Sequence, residues 1–389
     1  MDVSIILLAG IAASIFVGFN IGGSSTGIAW GPAVGAELVK KTTAAAIMTF
    51  FVFLGGWTVG RNVIDTLAGD IITIPISLES GVAVLFFIGL GILIANVFGV
   101  PVPTSMTTVG SIAGLGLATE TLNWATMGRI VSWWIVTPVI GFWVGAVIGR
   151  YLYPHLDRRF QIVSTEGSLL VLDRSEGLPK LTLGPNTTYQ ELLGTVLVIV
   201  VACYMAFGAG ASNIPNAVAP LVSDGALEAN PAILIATLAI GLGGFTIARR
   251  TMESVGGELS DIRLLSAIIV MVTAASITTF LSYIGIPISL VMATVMTIVG
   301  LGWGRASRSV AGRDILRGDT ETEASMGVLT VETPEDFAPI GEEEPQEVLE
   351  ASDLFNPRAV AKYVSMWIVG PSVSLGLSYA FFVVVPFVG

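Results

Sequence analysis

The chain is almost without the side chains that bind metal ions or form covalent cross-links. Cys203 is its only cysteine and His155 its only histidine. A disulfide framework needs paired cysteines, and a typical zinc or haem site needs several cysteines or histidines. These two absences exclude a disulfide-rich domain and argue against a metalloenzyme.

Charge is scarce as well. Charged residues make up 12% of the 389 residues, whereas 53% are hydrophobic. A soluble globular chain carries roughly 25% charged residues, so this chain must place its apolar surface in a lipid bilayer. The formal net charge of −11 disfavours nucleic acid as a partner. An acid-rich, lysine-poor chain is typical of a salt-adapted organism, and a single acidic loop is the alternative explanation.

The apolar runs also lack catalytic pairs. They contain no Asp–His pair, no Ser–His–Asp set and no ladder of Arg or Lys. Their serines and threonines have no base beside them, and nucleophilic catalysis requires one. The sequence therefore predicts that the chain is not an enzyme.

What the chain does have is a series of apolar runs close to the roughly 20 residues that a membrane span needs. Five precede and five follow a polar linker, residues 150–190, whose composition is compatible with a small strand pair. An acidic loop, residues 304–358, has too little apolar surface to fold alone, so we expect much of it to be disordered. The candidate spans are residues 3–19, 43–60, 82–99, 102–118, 130–149, 191–207, 231–248, 264–283, 285–303 and 360–388.

Four segments of the first half recur in the same order in the second half. The pairs are Asn20-Ile21 with Asn213-Ile214, residues 55–61 with 243–249, 101–108 with 287–294, and 134–138 with 367–371. Because each half has an odd number of spans, the halves must enter the membrane in opposite directions, which makes an inverted repeat.

The sequence thus predicts an all-α integral membrane protein with broken helices, re-entrant-like Pro/Gly segments and about 10–12 transmembrane segments. The first repeat is residues 1–149, and the second comprises residues 191–303 and 359–389. Cytoplasmic loops carry the excess of Lys and Arg, and most basic residues reach the inner side if the N-terminus is outside. Both termini of this multi-pass protein are therefore predicted to be extracellular, in the cell membrane.

Neutral polar residues are concentrated in two Gly/Pro-rich stretches, residues 18–35 and 208–220, and in two proline elements, residues 101–108 and 287–294. A broken helix exposes N–H groups and the positive end of its dipole, which together with hydroxyls and amides can cradle a small oxyanion. Oxygens in the same breaks could hold a sodium ion. The alternative is that the hydroxyls bond to their own helix and the glycines serve packing. The predicted substrate-binding residues are Asn20, Gly22, Gly23, Ser24, Ser25, Thr104, Ser105, Thr107, Thr108, Asn213, Asn216, Ser289 and Thr294.

These residues resemble those of the inorganic phosphate transporter family, also called the PiT or phosphate permease family. That family carries a Gly-Ala-Asn-Asp-x-Ala-Asn motif and a Pro-Val-Ser-Thr-Thr-His element in each half. Gly18-Phe19-Asn20-Ile21 and, more closely, residues 211–221 are similar to the first; the segments that begin at Pro101 and Pro287 are similar to the second. The resemblance implies import of an inorganic oxyanion by symport with a cation, Na⁺ or H⁺, with no other cofactor, by alternating access.

The chain departs from this pattern at both Asp positions, which are Ile21 and Ile214, and both proline elements lack the His. In the family that carboxylate is associated with sodium coupling, and a branch linked to sulfate uptake shows similar departures. Phosphate, the substrate of most of the family, is the first expectation; sulfate is the alternative, and an anion channel a lower one. Near neutral pH phosphate carries a proton that needs an acceptor, so the lost Asp favours sulfate on physical grounds. The expected partners are the anion and the lipid bilayer, and the sequence is also compatible with a homodimer.

Overall fold

The computed structural model describes residues 3–24, 27–35, 38–97, 103–159, 170–173, 180–183, 189–246, 264–307 and 357–385. Helices dominate because a backbone surrounded by lipid must satisfy its hydrogen bonds within its own segment. The α-helices are α1 Val3–Ser24, α2 Gly31–Gly35, α3 Lys41–Trp57, α4 Gly60–Asp65, α5 Leu78–Val97, α6 Thr104–Ala118, α7 Trp124–Val147, α8 Tyr153–Arg159, α9 Tyr189–Val222, α10 Ala229–Thr246, α11 Leu264–Tyr283, α12 Leu290–Ala306 and α13 Pro357–Val384.

The linker between the two halves contains the expected strand pair. Strands β1 (Leu170–Asp173) and β2 (Lys180–Leu183) are antiparallel, with Leu170 opposite Leu183. Most of the predicted acidic loop, residues 308–356, lies outside the described residues, and so does the prediction that it is disordered.

Seven helices in the described part of the chain are long and apolar enough to cross a membrane, or up to eight if α3 and α4, bent by 60°, form one span. The sequence led us to expect about ten to twelve. Two of the missing spans are α6 and α12, which have 15 and 17 residues, and the third, 43–60, is regained if α3 and α4 count as one span. At 1.5 Å per residue α6 and α12 extend about 23 and 26 Å, less than the roughly 30 Å of a bilayer core. The predicted spans 102–118 and 285–303 are therefore shorter helices, each preceded by its proline element.

Only one of the two predicted breaks is present. Helix α1 ends at Ser24, and a 3₁₀ turn (Gly27–Trp30) and α2 follow it. The predicted break at residues 208–220 is wrong, since α9 runs through it as one helix of 34 residues. Pro215 and Pro220 lie inside α9. Prolines are tolerated in a spanning helix when neighbouring helices and polar side chains satisfy the backbone groups that they release.

The two halves are interleaved. Helix α1 packs on α10 of the second half, and α9, its counterpart, packs on α3 of the first. In the same way α6 packs on α13, and α12 packs on α7. Such an exchange of partners agrees with the duplication in the sequence, whereas the opposite membrane orientations of the halves stay a prediction.

Glycines allow these crossings to be close. A Cβ on Gly22 or Gly243 would collide with the backbone of Ile240 or Phe19 at the α1–α10 crossing. The equivalent α3–α9 crossing has Gly210 against the carbonyl of Val52. Small residues at helix contacts let backbones approach where lipid offers no hydrophobic driving force.

Two side-chain hydrogen bonds each join residues that the predicted topology places on the same side of the membrane. On one side Arg61 donates to Asn230 Oδ1 at 2.6 Å, and on the other Arg150 donates to the carbonyl of Ser307 at 2.9 Å. These contacts agree with the predicted order of spans, and which side is extracellular remains a prediction.

Candidate functional site

The N-terminal ends of α6 and α12 meet in the interior. Helix α6 begins at Thr104, and α12 begins at Leu290 after its N-cap residue Ser289. Ser105 Oγ donates a 2.9 Å hydrogen bond to the carbonyl of Ile288, just before that cap. The two proline elements, 183 residues apart at this hydrogen bond, are therefore in direct contact, as expected if both belong to one substrate site.

Helix α9 contributes the third side of this arrangement. Ser212 Oγ donates to the same Ile288 carbonyl at 2.8 Å. Asn213 Oδ1 accepts a 2.7 Å hydrogen bond from Thr104 Oγ1. Thus α9 is bonded to the first turn of α6 and to the segment that leads into α12.

Asn216, three residues further along α9, has three acceptors within hydrogen-bond distance of its amide NH₂ group, whose two N–H bonds they share. Its Nδ2 donates to the Ser212 carbonyl at 3.0 Å, to Ser105 Oγ at 3.1 Å and to Thr104 Oγ1 at 3.4 Å. The side chains involved are at most 2% exposed. We call this group the polar cluster; it consists of Thr104, Ser105, Ser212, Asn213, Asn216 and the carbonyl of Ile288.

Two members of the polar cluster are absent from the set predicted from sequence, namely Ser212 and the Ile288 carbonyl. The position of Ser212 directly before Asn213 was a signal that could have included it. A backbone carbonyl carries no side-chain signal, and only the fold could reveal the role of Ile288.

Several predicted residues follow the alternative reading, in which hydroxyls bond to their own helix. Thr107, Thr108 and Thr294 donate to the carbonyls of Pro103, Thr104 and Leu290, each four residues earlier. Ser289 Oγ accepts from Met292 N and caps α12. These contacts lie within the two short helices themselves, and a direct part in substrate binding stays a prediction for the four residues.

The predicted residues of α1 contact α1 itself, α5 and α10. Asn20 is buried, donates to the Phe16 carbonyl at 2.8 Å and receives a hydrogen bond from Asn96 Nδ2 to its own carbonyl at 3.1 Å. Gly22 and Gly23 lie at the crossing with α10. Ser24 is the last residue of α1, and the structure describes its backbone only. Ser25 lies outside the described residues.

The site is built without formal charge. Throughout the described residues, the buried polar side chains are Ser, Thr and Asn, with no buried carboxylate, His, Lys or Arg. Ile21 and Ile214 are both 0% exposed, and Ile214 packs against Gly56. The electrostatic features of the interior are therefore hydroxyls, amides and the positive N-terminal ends of α6 and α12.

Comparison with known proteins identifies the family. A model described as "Phosphate transporter family" matches residues 21–378. The chain belongs to the phosphate transporter family. Its members are membrane transporters, so the family agrees with the sequence-based prediction that the chain is a permease and not an enzyme.

Individual relatives include proteins named for two anions. The chain is 29% identical over 314 residues to "Sulfate permease CysP" of Bacillus subtilis, covering 80% of this chain and 81% of that protein. It is 26% identical over 370 residues to "Putative phosphate permease TK2061" of Thermococcus kodakarensis, covering 78% and 91%. The solved structure named "The sodium-dependent phosphate transporter" covers 99% of this chain and 100% of its own, with a TM-score of 0.69 and 20% identity. At that identity it shows the fold alone.

Proposed function

We propose that this protein is a secondary transporter that imports inorganic phosphate across the cell membrane together with a cation. The observation that carries the proposal is the polar cluster, in which Thr104 and Ser105 of the first half are bonded to Asn213 and to the Ile288 carbonyl of the second. Sites at the interface of two repeats are typical of secondary transporters.

Neutral groups suffice to bind the anion. The first N–H groups of an α-helix have no partner within the helix, and its N-terminal end carries a partial positive charge. Both α6 and α12 begin at the polar cluster, so two such ends are directed at one region. Hydroxyls and amides of the cluster add directional hydrogen bonds to phosphate oxygens.

Sodium is the favoured coupling cation. None of the buried polar side chains in the described ranges can take up and release a proton near neutral pH, since all are Ser, Thr or Asn. Their oxygens, together with backbone carbonyls, are ligands that hard cations accept. The name of the solved structure, which includes sodium dependence, agrees with this choice.

Transport then follows an alternating-access cycle. The anion and the cation bind at the polar cluster, where their charges offset each other, and the halves rock to open the cluster to the other side. The extracellular placement of both termini and assembly as a homodimer remain part of the proposal.

Sulfate is the second candidate. The observation in its favour is the pair of buried isoleucines, Ile21 and Ile214, at the positions where the family resemblance implies carboxylates. The 29% identity to a protein named sulfate permease agrees with it.

Uptake by the purified protein in proteoliposomes tests the proposal. Radiolabelled phosphate and sulfate are offered separately, with an inward sodium gradient, an inward proton gradient or neither. We expect phosphate to accumulate against its own gradient when sodium is imposed. Accumulation of sulfate alone would assign the second candidate, equilibration without a gradient would indicate a channel, and no uptake of either anion would refute an oxyanion permease.

A further inference from the structure

The side-chain amide of Asn216 uses only one of its two polar atoms. Its Nδ2 lies 3.0 Å from the carbonyl oxygen of Ser212, which can only accept a hydrogen bond, so the amide orientation is fixed. Its Oδ1 is buried and has no hydrogen-bond partner within the described part of the chain. A buried acceptor left in this way is costly, and such groups in native proteins call for a functional explanation.

This oxygen differs from the other buried polar atoms that lack a partner among the described residues. The others belong to hydroxyls or to tryptophan indoles. A hydroxyl can donate or accept and an indole N–H can only donate, whereas an amide oxygen can only accept. Asn216 Oδ1 is thus the one pure acceptor of this set, and it belongs to the polar cluster.

We propose that Asn216 Oδ1 accepts a hydrogen bond from the protonated oxygen of the substrate and thereby selects phosphate over sulfate. The inference rests on the proposed function of the polar cluster. Near neutral pH every phosphate ion carries at least one O–H group, while sulfate carries none. Sulfate would place a bare anionic oxygen against the amide oxygen and leave the acceptor without a donor.

Asn216 Oδ1 allows a site without carboxylates to bind the protonated oxygen of phosphate. The loss of Asp at positions 21 and 214 removes the strongest acceptor that the family resemblance implies. An amide oxygen is a weaker acceptor, but the acceptors around Nδ2, the Ser212 carbonyl, Ser105 Oγ and Thr104 Oγ1, hold the amide in one orientation. A site that pairs with a substrate O–H discriminates strongly against an analogue that lacks it.

Competition in the wild-type protein gives the first test. Uptake of radiolabelled phosphate into proteoliposomes is measured with unlabelled arsenate, selenate or sulfate as competitor. Arsenate carries a proton at neutral pH, whereas selenate and sulfate do not. We expect arsenate to inhibit at concentrations about ten-fold or more below those required of selenate and sulfate. Equal inhibition by all three would overturn the role of Asn216 and leave the permease function intact.

A substitution gives the second test. Asn216→Leu keeps a similar volume and removes both polar atoms, and Ser378→Ala serves as its control. Ser378 is equally buried and donates to the Ser111 carbonyl at 2.7 Å, away from the polar cluster. We expect Asn216→Leu to lower the ratio of phosphate to sulfate uptake by about ten-fold or more and Ser378→Ala to leave it unchanged.

The outcomes are distinguishable. An unchanged ratio in Asn216→Leu with a weaker dependence on sodium would overturn the inference and identify Oδ1 as a cation ligand. If Asn216→Leu does not fold, the wild-type competition alone decides. If the wild-type protein takes up neither anion, the proposed function fails and the inference fails with it.

Discussion

Thr104 Oγ1 donates a 2.7 Å hydrogen bond to Asn213 Oδ1, and both side chains are buried. The bond joins the first residue of α6 to the middle of α9. A hydrogen bond between neutral partners contributes about 0.5–1.5 kcal/mol to stability, which is too little to hold two helices together alone. Its importance lies in orientation, because it aims the N-terminal end of α6 at the polar cluster.

Removal of this contact is expected to impair transport more than stability. Thr104→Val deletes the donor while it keeps the shape of the side chain, so we expect phosphate uptake to fall at least about ten-fold for a loss of about 1 kcal/mol in stability. Thr237→Val is the matched control, since Thr237 is buried in α10 and donates only to the Ile233 carbonyl of its own helix. Equal uptake by the two variants would argue against the polar cluster as the site.

The repeated asparagines should both be essential. We expect Asn20→Ala and Asn213→Ala to abolish uptake while the protein still inserts in the membrane. Asn213 is part of the polar cluster, whereas Asn20 contacts Asn96. The effect of Asn20→Ala therefore tests whether the α1 side of the interior takes part in transport. Uptake assays on variants matched for membrane content would decide, and normal transport in both would show that the site lies elsewhere.

Replacement of glycine by alanine should lower stability at a helix crossing but not at a glycine that has no neighbour. Gly243→Ala places a Cβ against the backbone of Phe19, and overpacking of this kind costs about 1–3 kcal/mol. Gly128→Ala in α7 meets no atom within 4 Å and should be neutral or slightly stabilising. Apparent melting temperatures in detergent should therefore fall for the first variant only. A similar fall for both would mean that the crossing at α10 is not as close as described.

Restoration of a carboxylate should strengthen the stabilisation of the protein by sodium. Ile214 is 0% exposed, so Ile214→Asp buries a negative charge that has no cationic side chain beside it among the described residues. We expect this variant to be less stable than wild type and to be stabilised by sodium chloride more than by choline chloride. Ile214→Asn is the uncharged control and should show a smaller difference between the two salts. A sodium response of equal size in the Asp and Asn variants would contradict the expectation.

A single native cysteine makes the predicted orientation easy to test. In a Cys203→Ala background, Asp70→Cys and Tyr151→Cys place thiols at exposed positions that the topology assigns to opposite sides. A membrane-impermeant maleimide added to intact cells should label the Asp70 position and leave the Tyr151 position unlabelled until the membrane is permeabilised. The reverse pattern would invert the protein in the membrane.

Composition and repetition were enough to predict a helical membrane transporter and to bring the two proline elements together with α9. The same sequence misled at residues 208–220, because Gly and Pro are breakers in water but are tolerated in a helix enclosed by other helices. The sequence also overestimated the lengths of α6 and α12, since an apolar run does not reveal whether a helix crosses the whole bilayer. The contact between Ser105 and the Ile288 carbonyl depends on backbone geometry, which no residue type encodes.

The interleaving of the halves has a consequence for biogenesis. Helix α6 packs on α13, which follows every other described helix along the chain, while α1 packs on α10 beyond the linker. While the ribosome is still making the second half, the inserted first half therefore lacks the surfaces that its helices are shaped to meet. Helix α6, with its row of buried hydroxyls, is the helix whose packing partner is made last. Although the two halves are similar in sequence, the first half therefore completes the packing around α6 only after the last helix has been made.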